Sequence, residues 1–266
     1  MNVAIMGMGL IGGSFYKAAL RAGHTVRGIG HHDPVEVSDA DIVLIAIPPA
    51  AVVPWIEAHA AEFKQGALVV DATGVKAGIC EALRKYALQD RWTFIGGHPM
   101  AGKEVAGFAN STADLYQGAS MILTPYPSCG RIPLDTLEKF FKGLGFGRVV
   151  ITTPEHHDRM IALTSQLAHV GSSAYARDPL ALEHHGYSAG SFHDMTRVAL
   201  LNPDIWTDLF FDNRVALLEA LDGLMARLGE YRAALAEKDT AKMHELLAQG
   251  RDARLAEMAK KDVLQR

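Results

Sequence analysis

The chain begins with a short apolar run, Asn2 to Met6, that passes directly into Gly7-Met8-Gly9-Leu10-Ile11-Gly12 and a helical pattern from Leu10 to Arg21. Three glycines at this spacing, between a strand and a helix, constrain the fold more than any other feature. They let the backbone turn sharply and present a helix N-terminus to an anion. In that setting Gly7 permits the tight turn, Gly9 removes the side chain where the backbone meets a pyrophosphate, and Gly12 lets the helix settle against the sheet. A second strand follows at Thr25 to Ile29. The chain therefore opens as a strand-helix-strand unit of the doubly wound type.

The alternation continues. Ile42 to Ile47 and Ala67 to Val70 are near-continuous aliphatic runs, the pattern of parallel strands covered on both faces. Further strands are expected at Thr93 to Gly96, Ser120 to Leu123 and Arg148 to Ile151, with helices at Val52 to Phe63, Lys76 to Ala87 and Leu134 to Lys142. The stretch from the second strand to Asp41 is too short for a full strand-helix unit and is read as a loop. After Pro154 strand signals stop, and His156 to Arg177, Ser188 to Leu200, Ile205 to Leu228 and Thr240 to Lys260 carry helical periodicity. The expected architecture is an α/β, Rossmann-type domain with a doubly wound parallel sheet over residues 1–152, followed by an all-α domain over residues 153–266.

Composition narrows the function. With 26 Lys and Arg against 30 Asp and Glu, the 266 residues carry a net charge of −4. There is no basic excess to suggest a nucleic-acid partner, so a small-molecule substrate is expected. The two cysteines, Cys80 and Cys129, make no disulfide framework and point to a reducing cytoplasm. Ile42 to Ile56, the longest uncharged apolar stretch, holds Pro48, Pro49 and Pro54 and falls short of the roughly 18 to 20 residues of a membrane span. No membrane association or export signal is read.

Two further segments carry chemistry. The second strand ends Gly30-His31-His32-Asp33, and Gly30 stands where an acidic residue ordinarily binds the adenine ribose and selects NAD over NADP. Asp33 serves if the loop bends; His31 and His32 are the alternative, accommodating a 2′-phosphate. The segment from Ile95 to Glu104 leaves the carboxyl edge of the sheet, where ligands bind in open α/β folds. His98, held there between glycines and a proline, is suited to proton exchange, with an ordinary pKa of about 6.5.

Gly7 to Ser14 (GMGLIGGS), Asp71 to Lys76 (DATGVK), Gly97 to Glu104 (GHPMAGKE), Ser165 to His169 (SQLAH) and Phe192 to Arg197 (FHDMTR) together resemble, in this order, the prephenate dehydrogenase family. The resemblance spans residues 1 to about 260. It implies oxidative decarboxylation of prephenate to 4-hydroxyphenylpyruvate and CO₂ in tyrosine biosynthesis, with a nicotinamide cofactor, NAD before NADP, and no metal. His98 matches the family's catalytic histidine, which in its neutral form accepts a hydrogen bond from the ring hydroxyl. Arg197 matches the substrate-binding arginine, suited to a carboxylate. His169, Lys103, Glu104 and Trp206 match or stand beside the substrate pocket. Gly7, Gly9, Leu10, Ile11, Gly12, Gly30, His31 and Pro48 form the expected cofactor set. A homodimer through the helical domain is expected, from the family and from apolar faces such as Val215, Leu218, Leu221, Leu224 and Leu228.

Departures from the family accompany the match. Relatives commonly carry a serine, bonded to the catalytic histidine and the substrate hydroxyl, where this chain has Gly74. Thr73 or a water is expected to fill that role. The length leaves no room for a chorismate mutase segment or a regulatory domain, so a bare catalytic core is expected. The nearest rival is an arogenate or dual-specificity dehydrogenase. A β-hydroxyacid dehydrogenase would need a catalytic lysine on the helix following the junction, and His156 to Arg177 contains none. A non-catalytic nicotinamide sensor is the remote alternative, argued from Gly74.

Overall fold

The computed structural model describes residues 1–103 and 105–264. Seven strands form one sheet: β1 (Asn2–Met6), β2 (Thr25–Ile29), β3 (Ile42–Ile45), β4 (Ala67–Asp71), β5 (Trp92–Pro99), β6 (Ser120–Pro125) and β7 (Arg148–Ile151), in the order β2-β1-β3-β4-β5-β6-β7. β1 to β5 pair in parallel and so do β6 and β7, whereas β5 and β6 run antiparallel. Strand alternation sorts the core onto two faces. Val3, Ile5, Ile42, Leu44 and Val70 pack with Phe15 of α1 (Leu10–Arg21) on one side, together with residues such as Phe141 C-terminal to β6. Ala4, Val43, Ile45 and Val69 pack on the other with Val52 and Ile56 of α2 (Pro49–His59) and with Ile79 and Cys80 of α3 (Ala77–Ala82). Phe141 belongs to α4 (Arg131–Gly143). Cover on both faces is why β3 and β4 read as unbroken apolar runs.

The loop expected between β2 and Asp41 is present: residues 30–41 contain no helix or strand. Val37 and Ala40 of this loop are buried, while Arg27 of β2 pairs with its Glu36 and Asp39.

Beyond β7 every regular element is helical. α5 (Pro154–Ile161), a π-helical turn (Ala162–Gln166) and α6 (Leu167–Ala176) form one continuous rod, followed by α7 (Gly190–Thr196), α8 (Pro203–Asp212), α9 (Arg214–Glu237) and α10 (Thr240–Leu264). By contacts the chain forms two compact units, Met1–Arg214 and Val215–Arg266. The second is a helical hairpin that turns at Lys238, whose φ is +56°, and Tyr231 Oη donates to the carbonyl of Leu246 at 3.2 Å across it. Among the described residues no helix is long and apolar enough to cross a membrane.

Several boundaries differ from the sequence expectation. The single helix expected over Ile205 to Leu228 breaks at Asn213, whose buried amide turns inward to donate to the Asp158 carbonyl at 2.9 Å and to Gln166 Oε1 at 2.7 Å. α2 starts at Pro49, three residues early, because a proline fits the first helical turn. β5 runs on to Pro99 because its second half pairs with β6, His98 lying opposite Ile122. His98 therefore sits in a strand, not in a loop after one.

At the end of β4 a buried ion pair fixes the path into α3. Asp71 and Lys76 are fully buried and bonded to each other. Asp71 also accepts from the Thr73 hydroxyl at 2.5 Å, from Thr73 N at 3.0 Å and from Gly97 N at 3.1 Å, while Lys76 Nζ donates to Thr73 Oγ1 at 2.8 Å. Breaking such a pair on one side strands a buried charge at a cost of about 3 to 5 kcal/mol. Lys76→Met is thus expected to lower the urea midpoint by an amount matching that loss; an unchanged midpoint would show that the pair does not hold the β4 to α3 connection.

Candidate active site

The parallel strands β1, β3, β4 and β5 end at one edge of the sheet, and Gly7, Pro48, Gly74 and His98 lie in or next to the segments that leave it. The glycine turn after β1 has the geometry its sequence demands. Gly7 has φ of +92°, and a Cβ on it would lie 2.3 Å from the Ala46 carbonyl oxygen. A Cβ on Gly12 would lie 1.8 Å from the Gly7 carbonyl oxygen, so helix and turn touch backbone to backbone. At Gly9 the same test finds open space. Gly9 is the residue that precedes α1, and no side chain caps that helix. The N–H groups there face a gap bounded by glycine, which fits a pyrophosphate. Leu10 and Ile11 form the first turn of α1, and the Ile11 carbonyl accepts from Tyr116 Oη at 2.7 Å. Pro48 precedes α2 beyond the end of β3 and is exposed.

At the end of β2 the loop does bend. Asp33 Oδ2 accepts from Gly30 N at 2.7 Å, and a Cβ on Gly30 would lie only 3.0 Å from that oxygen. A carboxylate borrowed from three residues on thus stands beside the place where a residue-30 side chain would begin. His31 and His32 are exposed and meet edge to face, with ring centroids 4.7 Å apart.

His98 is partly exposed, and its Nδ1 is engaged. It lies 2.9 Å from Nε2 of His157, whose Nδ1 is 2.7 Å from Asp158 Oδ1. Asp158 in turn caps the start of α3, accepting from Lys76 N and Ala77 N, each at 2.8 Å. Burial, reinforced by the Lys76 ammonium, holds the His98 imidazole well below its usual range. His98 is therefore neutral at neutral pH.

Thr73 does not meet His98. Its hydroxyl donates to Asp71 and accepts from Lys76, so the expectation that it replaces the missing serine is corrected: the hydroxyl is spent on the buried ion pair. Gly74 itself is partly exposed, and a Cβ there would meet only Leu209, at 3.4 Å. His157, not a hydroxyl, partners the catalytic-histidine candidate. Sequence reading missed it because His157-Asp158 lies inside a helical pattern, 59 residues from His98, with nothing in its spacing to link the two.

Among the described residues, the helical candidates divide into a stacked pair and a cation without a partner. His169 and Trp206 stack with centroids 4.0 Å apart, and His169 Nδ1 donates to the Ser165 carbonyl at 2.8 Å beside the π-helical turn. Arg197 is exposed at the end of α7, and its guanidinium makes no hydrogen bond or ion pair among the described residues. Asp194, three residues earlier, lies 3.7 Å from its neighbour His193 instead. Lys103 is exposed, with Nζ 3.3 Å from the Asn110 carbonyl. Glu104 lies outside the described residues.

Residues 16–160 match the model of the prephenate dehydrogenase nucleotide-binding domain, and residues 153–249 that of the prephenate dehydrogenase dimerization domain. A cyclohexadienyl dehydrogenase of Zymomonas mobilis is 31% identical over 96% of this chain and 95% of its own length. The crystal structure of Synechocystis arogenate dehydrogenase superposes with a TM-score of 0.84 at 25% identity, covering 96% of this chain and 99% of that one. That of prephenate dehydrogenase from A. aeolicus, in complex with hydroxyphenyl propionate and NAD+, gives 0.82 at 25% identity over 97% and 98% of the two chains. With both domains matched in order and a relative of nearly its full length, this chain belongs to the prephenate dehydrogenase family.

Proposed function

We propose that the protein oxidises prephenate with NAD, releasing CO₂ and 4-hydroxyphenylpyruvate. The observation that carries this reading is His98: neutral, partly exposed at the carboxyl edge of the sheet, with Nδ1 engaged by His157 and Nε2 left for a substrate hydroxyl. As hydride leaves the ring carbon bearing that hydroxyl, Nε2 accepts the hydroxyl proton, the ring carboxylate departs as CO₂, and the phenolate oxygen of the aromatic product takes the proton back. General-base help of this kind is typically worth about 10²- to 10⁴-fold. The bound nicotinamide supplies the hydride acceptor. Gly7, Gly9 and Gly12 with the start of α1 would hold its pyrophosphate, and Asp33 its adenine ribose.

Arg197 is the candidate clamp for a substrate carboxylate, supported by its exposed guanidinium, which has no partner among the described residues. His169 and Trp206 form one aromatic wall against which a six-membered ring would pack, and Lys103 adds a cation near Asn110. Arogenate, in which an amino group replaces the side-chain keto group, is the second reading, favoured by the cyclohexadienyl and arogenate dehydrogenases among the similar proteins. The protein works as a homodimer in the cytoplasm on this reading. Its support is the dimerization-domain match and the large apolar side chains exposed on α9 and α10, Val215, Met225, Leu228, Leu247 and Leu255 among them.

Cofactor reduction followed at 340 nm with prephenate and with arogenate tests the assignment. Turnover of prephenate with NAD is expected, and silence with both substrates would remove the activity. The acid limb of kcat/KM should fall below pH 6.5, because a histidine whose pKa is depressed stays a competent base to lower pH than a free one. A limb at or above pH 6.5 would show that His98 is not the titrating base. For the cofactor, Asp33→Asn should shrink the preference for NAD over NADP by about tenfold, through lost ribose bonding and lost repulsion of the 2′-phosphate. An unchanged ratio of kcat/KM values would exclude Asp33 from that role. Gly30→Asp is the poorer test, because it would set a second carboxylate against Asp33.

A further inference from the structure

The base proposed above needs a particular tautomer. Only if the proton of neutral His98 sits on Nδ1 is the Nε2 lone pair free to accept another. Nothing in an isolated imidazole enforces that choice, but the chain of groups behind His98 does. Asp158 takes two backbone donors, Lys76 N on Oδ1 and Ala77 N on Oδ2, so both of its oxygens act as acceptors. Facing it, His157 Nδ1 must carry a proton. The His157 side chain is fully buried, with the Lys76 ammonium belonging to the same buried cluster. With its one proton on Nδ1, His157 presents Nε2 as a lone pair to His98 Nδ1, 2.9 Å away. That bond is satisfied only by a proton on His98 Nδ1.

We propose that His157, oriented by Asp158, is a positioning residue that locks His98 in the Nδ1–H tautomer and thereby supplies the hydrogen-bond partner that a side chain at Gly74 does not give the histidine. The inference rests on the reading of His98 as the base, and it adds a consequence: when Nε2 takes up the substrate proton, the new imidazolium faces a hydrogen-bond acceptor backed by a carboxylate. Asn213 and Gln166 complete the support, since Asn213 donates both to the Asp158 carbonyl and to Gln166 Oε1, and Gln166 Nε2 donates to the Leu209 carbonyl at 2.9 Å. The relay therefore ties a strand of the sheet to three segments of the helical region that follow it.

The test is the tautomer itself. In protein labelled with ¹⁵N-histidine, the His98 signals are assigned by their loss in His98→Asn, and near neutral pH they should report a protonated Nδ1 and an unprotonated Nε2. In His157→Leu, protonated Nε2 should become populated and kcat should fall about 10- to 100-fold with KM for prephenate and NAD unchanged. His157→Gln, whose Oε1 can accept the same bond, should recover most of that loss. A proton on Nε2 of His98 in the wild type would overturn the proposal, as would a wild-type kcat in His157→Leu or equal losses in the Leu and Gln variants. Should His157→Leu fail to fold, the wild-type tautomer and the Gln variant still decide. The spectrum reads the relay without substrate, so a failure of the proposed activity and a failure of the relay give different results.

Discussion

The carboxylate of Asp158 is the contact on which the rest of the site depends. It lies on the first helix after the sheet, yet it closes the start of α3 by accepting Lys76 N and Ala77 N. A carboxylate at a helix N-terminus is favoured by the exposed N–H groups and by the local dipole. Here the cap comes from 82 residues away in sequence, so it also joins segments that local structure would leave independent. Its remaining lone pair orients His157, and the Lys76 backbone it holds carries the ammonium that neutralises Asp71 at the end of β4.

Two buried polar systems thus share one residue, Lys76. Its backbone belongs to the relay behind His98 and its side chain to the ion pair beneath it. Burial explains why each is complete: an unmatched donor or charge at this depth costs far more than a matched one contributes. It also explains the division of labour between neighbours. Thr73 is drawn down into the ion pair, whereas the outward-facing part of the loop, at Gly74, carries no side chain at all.

Much of this was legible in the sequence, where local chemistry dictates local geometry. Gly7 and Gly12 announce backbone contacts that exclude a Cβ, and the apolar runs of β3 and β4 announce cover on both faces. The loop replacing a strand-helix unit after β2 followed from the residues available. What escaped were features set by distant partners. Asn213 breaks a helical pattern because of groups on α5 and the π-helical turn, and β5 outruns its expected end because of β6. The seat of His98 depends on His157, which reads as one more polar residue on an amphipathic helix. The Thr73 hydroxyl was misread for the same reason: one residue's offset from Gly74 says nothing about which way a buried ion pair pulls.

The loop of residues 30–41 has a further consequence. Because no strand lies beyond it, β2 is left at the margin of the sheet, with one side of its backbone free to pair with any extended chain that approaches. Such margins invite unwanted assembly, and proteins guard them with charge and with covering loops. Here the short loop supplies charge beside the marginal strand and also closes core on one face of the sheet. Val37 and Ala40 plug the core where the absent unit would have packed, and Glu36 and Asp39 gather around Arg27, in the middle of β2, which also donates to the Glu36 carbonyl. A strand adding at this margin would bring its own side chains up against that charged cluster, so the short loop gives the edge strand a charged neighbour.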